Sequence, residues 1–295
     1  MSAYEHLHQD TLPLMAMSAE SRVAALDGHR WVGYDRAKTI FEMLDRLLVV
    51  PERPRMQSLL IVGESNNGKT SLIREYRDRH LPQEANETGR LVMPVLLTEV
   101  AAADERGLYA GVLERMFAPF RITDPLLKLQ YQVIHLMREC RVRMLIIDEI
   151  HTLLTGTPKK QREMMNALKF LSNTLCVSIV GVGTRDAVRV LHTDPQHASR
   201  FDVIDLPLWS CDASFQQLLA TIEKRLPLQK ASRLFRPELA RRLHAYTQGN
   251  LGNLYRLLVA CTKAAILSGD EQITADLIDR HKDYFGTKGK RDQYK

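Results

Sequence analysis

The chain has 295 residues, of which 45% are apolar and 26% are charged, so it can bury a sizeable core in one large or two modest domains. This composition excludes a chain that is disordered for most of its length. The formal net charge of +6 at pH 7 favours an anionic partner, with nucleic acid as the first candidate and nucleotide phosphates as a sufficient minimum.

The four cysteines are widely spaced and form no CxxC or Cys/His ligand pattern, which predicts reduced thiols in a cytoplasmic protein. The first residues lack a signal-peptide pattern, and no apolar run is long enough to cross a bilayer. We therefore expect no membrane partner.

The first 29 residues read as an arm that docks either on the body of the protein or on a neighbouring subunit. Trp31 and Tyr34 then lead into a helix whose apolar residues recur at helical spacing through Val49, and Pro51 ends it. In this place Trp31 and Tyr34 could form one wall of a nucleotide-base pocket. A packing helix anchored by the tryptophan is an equally good interpretation.

Residues 58–71, SLLIVGESNNGKTS, have the strand, loop and helix context of a phosphate-binding loop, the Walker A motif. The glycines let backbone N–H groups turn toward phosphate oxygens, Lys69 can reach the terminal phosphates, and the Thr70 hydroxyl can ligate Mg²⁺. A glycine-rich turn without a function would not require the preceding apolar strand. The predicted nucleotide-binding residues are Gly63, Glu64, Ser65, Asn66, Asn67, Gly68, Lys69, Thr70 and Ser71.

A second apolar run, residues 144–147, ends in Asp148 and Glu149, which is the pattern of a Walker B strand. In a P-loop protein this places the aspartate near the magnesium ion and the glutamate where it can activate water. The two motifs together predict nucleotide hydrolysis. Residues 177–184 form a further strand, and Thr184 would lie beside the nucleotide if this strand runs between the other two. Thr184 could also cap the next helix.

Basic residues recur through the middle of the chain. Residues 91–97 are predicted as a strand, with Pro94 as an objection to a central position, and two amphipathic helices follow. A basic loop at 156–162 then opens a helix at 163–173, where positive charge opposes the helix dipole and suggests an external anion. Contact with DNA and a solvated face are both possible for these basic residues, which are Arg106, Arg115, Arg121, Lys128, Lys159, Lys160 and Arg162.

The alternation of strands and helices stops near residue 207, after which only helices are predicted. We therefore predict an arm of residues 1–29, an αβα ATPase core of residues 30–206, and a helical lid of residues 207–285. Residues 286–295 are expected to be a basic flexible tail.

The P-loop, the Asp-Glu strand, the polar strand end and the helical appendix together resemble an AAA+ ATPase. This implies an α/β fold, a three-layer αβα sandwich with a parallel five-stranded sheet, followed by a small helical lid. More narrowly, residues 31–34, the stretch 51–71, and the segments LIIDEIH, GVGT and SRF resemble the TniB/TnsC family of transposition ATPases, and TniB most closely. The resemblance covers about residues 30–285.

This resemblance implies an ATP-dependent regulator of DNA transposition. Members of the family bind ATP and Mg²⁺, assemble on double-stranded target DNA as rings or helical filaments, and recruit a DDE transposase, and hydrolysis resets them. The implied partners are a TniA-like transposase, a TniQ-like targeting protein and further copies of the chain.

The same resemblance assigns roles to single residues. Lys69 and Thr70 would bind phosphate and magnesium, Asp148 would hold magnesium, and Glu149 would activate water. The sensor at the strand end would be Thr184. The arginine finger that reaches a neighbour's ATP and stabilises charge on the transferred phosphoryl group would be Arg200.

The chain departs from related ATPases where they often carry a lid arginine. Gly252 or Asn253 occupies that position and Arg256 comes one turn late, so we expect weak hydrolysis. Two other functions are compatible with the sequence: a nucleotide-switched signalling or scaffold ATPase that never touches DNA, and a helper of the IstB or helicase-loader type. The basic residues favour DNA binding, which should be sensitive to salt and largely independent of sequence.

Overall fold

The computed structural model describes residues 4–28, 31–84, 91–99, 102, 104–191 and 200–282. The chain divides into two compact units, one formed by Asp35–Pro207 and the other by Met1–Tyr34 together with Leu208–Lys295. The first 34 residues therefore group with the C-terminal helices and not with the sheet. The predicted tail at 286–295 lies outside the described residues.

The larger unit, the sheet unit, is built on a five-stranded sheet. Its strands follow the order β4-β5-β6-β1-β7, and every neighbouring pair is parallel. The strands β1, β5 and β6 are buried at every position, as expected for apolar strands covered on both faces. The strands of the described chain are β1 (Ser58–Gly63), β2 (Gln83–Glu84), β3 (Leu91–Val92), β4 (Val95–Glu99), β5 (Met144–Asp148), β6 (Ser178–Gly183) and β7 (Phe201–Leu206).

The prediction of one strand at 91–97 was wrong, because the chain forms two strands there. β3 pairs antiparallel with β2 in a small separate sheet, and β4 joins the main sheet from Val95 onward. Pro94 lies between them and has no N–H to donate to a ladder. Its carbonyl oxygen instead accepts hydrogen bonds from the backbone N–H groups of Arg143 and Met144, at 2.9 and 3.0 Å.

Helices cover both faces of the sheet. The helix after the P-loop, α3, contacts β1, β4 and β6, whereas α4, α5 and α6 share a core cluster with alternate strand residues such as Leu60 and Ile147. This three-layer arrangement confirms the predicted fold class. No helix in the described part of the chain is long and apolar enough to cross a membrane. The helices are α1 (Ala19–Ala25), α2 (Asp35–Val49), α3 (Lys69–Asp78), α4 (Glu105–Arg115), α5 (Leu126–Glu139), α6 (Pro158–Leu175), α7 (Ala187–Leu191), α8 (Ala213–Glu223), α9 (Pro237–Thr247), α10 (Leu251–Ser268) and α11 (Ala275–Arg280), with 3₁₀ helices at Gln9–Ala16 and Ile150–Thr155.

The helix α6 begins five residues earlier than its predicted start at 163. Thr157 is its N-cap and accepts a hydrogen bond from the Lys160 N–H at 3.4 Å, and Pro158 occupies the first helical position. Most of the predicted basic loop at 156–162 is therefore helical. The prediction gave too little weight to the Thr-Pro start signal before residues that favour helix.

The second unit, the helical unit, is formed by both ends of the chain. The side chain of Arg22 in α1 is 5% exposed, and its Nη1 donates to the Glu271 carboxylate at 2.9 Å. His6 Nε2 lies 3.1 Å from the carbonyl oxygen of Leu228, and Leu26 joins the core formed by the C-terminal helices. The described part of the N-terminal arm thus docks within its own chain.

Candidate nucleotide-binding site

The P-loop connects β1 to α3 at the carboxyl edge of the sheet. A Cβ added to Gly63 would lie 2.6 Å from the carbonyl oxygen of Leu206 on β7, so only glycine fits there. Gly68, directly before α3, has a φ of 82°, in the left-handed region that favours glycine. The first turn of α3 carries no acidic residue, so its positive dipole end is available to an anion.

Lys69 lies along the loop that precedes it. Its Nζ donates to the carbonyl oxygens of Gly63 at 3.0 Å and Glu64 at 2.8 Å, and its side chain is largely buried. Burial lowers the pKa of Lys69, and the nearby carboxylates of Glu149, Asp148 and Glu64 oppose this shift. The ammonium group is therefore held over the loop, where it can donate to phosphate oxygens.

The Thr70 hydroxyl and the Asp148 carboxylate meet across the two motifs. Thr70 Oγ1 donates to Asp148 Oδ2 at 2.8 Å, and Asp148 Oδ1 accepts from the Glu149 N–H at 2.9 Å. Hydroxyl and carboxylate oxygens fit Mg²⁺. The described residues contain no group of three or more His, Cys, Asp or Glu side chains able to hold a metal, so a magnesium ion here would take its other ligands from nucleotide phosphates and water.

Glu149 lies beside a histidine to which the sequence analysis assigned no role. Glu149 has a φ of 53°, unusual for a residue with a side chain, and its Oε2 lies 3.1 Å from Nδ1 of His151. The same Nδ1 lies 3.4 Å from the backbone nitrogen of Thr184. The strand β6 runs between β5 and β1, as the prediction for Thr184 requires, and a role for Thr184 at the nucleotide stays a prediction. Only the position of His151 two residues after Glu149 could have indicated this contact.

Asn67 has a structural contact that its motif does not reveal. Its side chain is 1% exposed, and Nδ2 donates to the carbonyl oxygens of Leu206 and Pro207, both at 3.0 Å. It therefore ties the P-loop to the end of β7, whereas Ser65 and Asn66 are exposed at the loop tip.

Arg200 lies at the other edge of the sheet from the P-loop. Its carbonyl oxygen accepts a hydrogen bond from the Ser58 N–H at 2.9 Å, at the start of β1, and its Nη1 donates to Asn173 Oδ1 at 2.9 Å. A six-residue strand such as β1 is roughly 17 Å long. Arg200 therefore cannot serve the nucleotide of its own P-loop, and a finger role would have to act on a neighbouring copy.

Trp31 and Tyr34, the predicted base-pocket residues, belong to the helical unit. The Tyr34 ring centroid lies 5.4 Å from that of Trp209 in an edge-on arrangement and 6.0 Å from that of Trp31. Burial raises the pKa of Tyr34. These contacts give both residues a packing role, and their role in nucleotide binding stays a prediction.

The predicted DNA-binding residues differ in the hydrogen bonds and ion pairs that their side chains make within the described chain. Arg106 Nη1 donates to the carbonyl oxygens of Ile122 and Asp124, both at 2.6 Å, and so holds the connection between α4 and α5. The other candidates divide into three with an acidic partner, Lys128, Lys159 and Lys160, and three exposed arginines, Arg115, Arg121 and Arg162.

The lid position lies at the start of α10. Asn250 is the N-cap, and its Oδ1 accepts from the Asn253 N–H at 3.1 Å. Gly252 and Asn253 thus fall in the first helical turn, and Arg256 is exposed further along the helix.

A parallel sheet of this order, with a P-loop after β1 and an Asp-Glu pair at the end of β5, defines an AAA+ P-loop protein. The fold is shared by the Aeropyrum pernix ORC2 protein in ADPNP-ADP complexes, with a TM-score of 0.60 and 16% identity over 89% of this chain and 71% of that one. The Cdc6p protein of Pyrobaculum aerophilum has a TM-score of 0.62 and 14% identity, over 84% of this chain and 67% of that one. The A. pernix ORC1 protein in complex with DNA has a TM-score of 0.56 and 17% identity, over 83% of this chain and 63% of that one.

The chain belongs to the TniB family. The family model, described as bacterial TniB protein, matches residues 22–211 of the 295. No curated protein sequence matches the chain. The matched range contains both nucleotide-site motifs, as the resemblance of the sequence motifs to TniB predicts.

Proposed function

We propose that this chain is an ATP-dependent, DNA-binding regulator of transposition. It assembles on double-stranded target DNA as a ring or filament of identical subunits, and it recruits and activates a TniA-like DDE transposase together with a TniQ-like targeting protein. ATP hydrolysis drives disassembly. One observation carries the proposal: the TniB match spans a nucleotide site whose two motifs meet in the 2.8 Å contact between Thr70 and Asp148.

The case for DNA as the partner rests on charge and on fold relatives. The chain has a formal net charge of +6, and exposed arginines extend along the sheet unit. Among the proteins that share the fold, A. pernix ORC1 was solved in complex with DNA. A contact that depends on phosphates should show no strong sequence preference.

Each group in the site has a separate task in hydrolysis. The backbone N–H groups of the P-loop and the Lys69 ammonium bind and orient the phosphates of ATP. Thr70 and Asp148 would hold a magnesium ion, which would neutralise negative charge on the phosphates of ATP. Glu149 accepts a proton from the attacking water.

Hydrolysis also requires a second copy of the chain. Because Arg200 lies at the amino edge of the sheet, it can contribute positive charge only to the ATP of a neighbour. Assembly and turnover are therefore coupled, and a monomer hydrolyses ATP weakly.

Electron microscopy of the purified chain with duplex DNA, with and without a slowly hydrolysed ATP analogue, tests this function. We expect ordered assemblies on DNA only with the nucleotide. Lys69→Ala should abolish them, whereas Lys38→Ala, an exposed lysine of α2, should assemble as wild type does. With ATP, Glu149→Gln should assemble and then fail to disassemble.

Two results would contradict the proposal. Bare DNA in both conditions would favour a signalling ATPase that does not bind DNA, and assembly of Lys69→Ala would separate DNA binding from the nucleotide site. Wild-type rates of ATP hydrolysis by Lys69→Ala or Glu149→Gln would overturn the assignment of the site.

A further inference from the structure

A second cavity, of about 200 Å³, lies beside Asp148 in the sheet unit. Arg74 and Arg77 reach it from α3, and Arg115 reaches it from the last turn of α4. Thr98 and Glu99 line it from the end of β4. The cavity is smaller than the roughly 300 Å³ at which drug-sized ligand pockets begin, so it suits a group of the size of one phosphate.

The three arginines at this cavity have N–H donors that make no hydrogen bond within the described part of the chain. Within the described part of the chain, Arg74 and Arg115 make no hydrogen bond or ion pair, and Arg77 binds only its neighbour Asp78, at 2.6 Å. Helix stability does not require Arg74, which is in the middle of α3 and has no carboxylate within pairing distance among the residues that the structure describes. Three guanidinium groups around one small cavity favour an oxyanion such as a phosphate group, since each guanidinium presents paired donors to two of its oxygen atoms.

Two carboxylates offset part of the positive charge at the cavity. Glu99 and Asp148 line it together with the three arginines, and Asp148 is also the carboxylate that faces Thr70. Three guanidinium charges against two carboxylate charges leave a positive charge at the cavity, which favours an anion.

We propose that this cavity binds one phosphate group of the DNA backbone. The inference rests on the proposed function for the identity of the partner, because free inorganic phosphate has the same chemistry. A phosphodiester of duplex DNA is favoured because Arg74 and Arg115 are exposed at the mouth of the cavity, where a chain can pass.

The test compares wild type with Arg74→Gln/Arg115→Gln, both with a slowly hydrolysed ATP analogue filling the P-loop. Fluorescence anisotropy of a labelled duplex over a range of salt concentrations should show about tenfold weaker binding by the double variant, with a salt slope smaller by about 1. Arg46→Gln, an exposed arginine of α2, is the matched control and should bind as wild type does.

A second arm measures thermal stabilisation by inorganic phosphate under the same conditions. If the double variant loses DNA affinity and the control Arg46→Gln does not, the result supports the proposal. Unchanged DNA affinity with lost phosphate stabilisation overturns DNA as the ligand and leaves a site for free phosphate. If neither changes, the cavity is not a phosphate site. If wild type binds no DNA, the proposed function fails, and the phosphate arm still decides whether the cavity binds an anion.

Discussion

Nδ1 of His151 lies 3.1 Å from Oε2 of Glu149 and 3.4 Å from the backbone nitrogen of Thr184. This ring nitrogen donates to the glutamate only when it carries a proton, and it accepts from the Thr184 N–H only when it does not. The imidazole therefore links the carboxylate proposed to activate water with the end of β6. A carboxylate held by the ring is less available to a water molecule.

We expect His151→Ala to raise the ATP hydrolysis rate in the absence of DNA by about fivefold. The physical reason is the loss of the contact between Nδ1 of His151 and Oε2 of Glu149, which in a ring with a proton on Nδ1 is a hydrogen bond that competes with water and is worth about 1 kcal/mol. Steady-state phosphate release measures the effect. His135→Ala, an exposed histidine of α5, is the control and should not change the rate. A lower rate in His151→Ala would instead mean that the ring positions Glu149 for catalysis.

Mixing two inactive variants should restore hydrolysis if Arg200 acts on a neighbour's nucleotide. Arg200→Ala keeps Lys69, and Lys69→Ala keeps Arg200, so about a quarter of the sites in a random mixture are complete. Activity of the equimolar mixture should approach a quarter of wild type and exceed that of either variant alone. A mixture of Lys69→Ala with Glu149→Gln offers no such complementation. If both mixtures have the same activity, Arg200 does not act on the ATP of a neighbouring subunit.

Asn67→Ala should lower the free energy of unfolding of the sheet unit by about 2 kcal/mol. The substitution removes two hydrogen bonds and leaves the carbonyl oxygens of Leu206, which is buried, and of Pro207 without this donor. Chemical denaturation measures the change, and Asn166→Ala, at an exposed position of α6, should be nearly neutral. If stability is unchanged and ATP binds more weakly, Asn67 binds the nucleotide and does not stabilise the contact between the P-loop and β7.

Arg22→Ala should destabilise the helical unit by about 3 kcal/mol, because it leaves the buried Glu271 carboxylate without its cationic partner. Glu271 is also the main reason that the pKa of Arg22 is raised, through its hydrogen bond. The matched control is Arg280→Ala, which breaks an exposed ion pair with Asp276 at 2.6 Å and should cost less than about 1 kcal/mol.

The apolar double variant Arg22→Met/Glu271→Leu separates burial from charge in this pair. It should recover most of the stability lost in Arg22→Ala, because it leaves no unpaired charge in the interior. If the double variant is as unstable as the single one, the specific hydrogen bonds of the pair are what the helical unit requires.

The parts of the fold that could be predicted depend on local signals. The apolar runs of β1, β5 and β6 indicated their positions, and the end of the alternation of strands and helices near residue 207 agrees with the helices that follow β7. The pairing of β2 with β3 could not be predicted, because two residues in each strand are too short a pattern. The grouping of the first 34 residues with the C-terminal helices depends on contacts between distant parts of the chain.

The candidate site also contains residues that local motifs could predict and residues that they could not. The P-loop and the Asp-Glu pair are contiguous motifs, so their residues could be named from the sequence. His151, by contrast, gains its interest from distances to Glu149 and Thr184 that only the folded chain defines. The cavity beside Asp148 draws on residues from α3, β4, α4 and β5, and no spacing rule connects them.

The discontinuous helical unit has a consequence for synthesis on the ribosome. Asp35–Pro207 is one continuous stretch, whereas Arg22 and Glu271 are 249 positions apart and must meet in one unit. The sheet can therefore form while the last helices are still being translated, but the first helix waits for them. During that interval the apolar side of α1 lacks its partners, and it is the segment that a chaperone would protect. Ribosome-arrested chains of increasing length should show two separate steps of protease protection, the second only after Glu271 emerges.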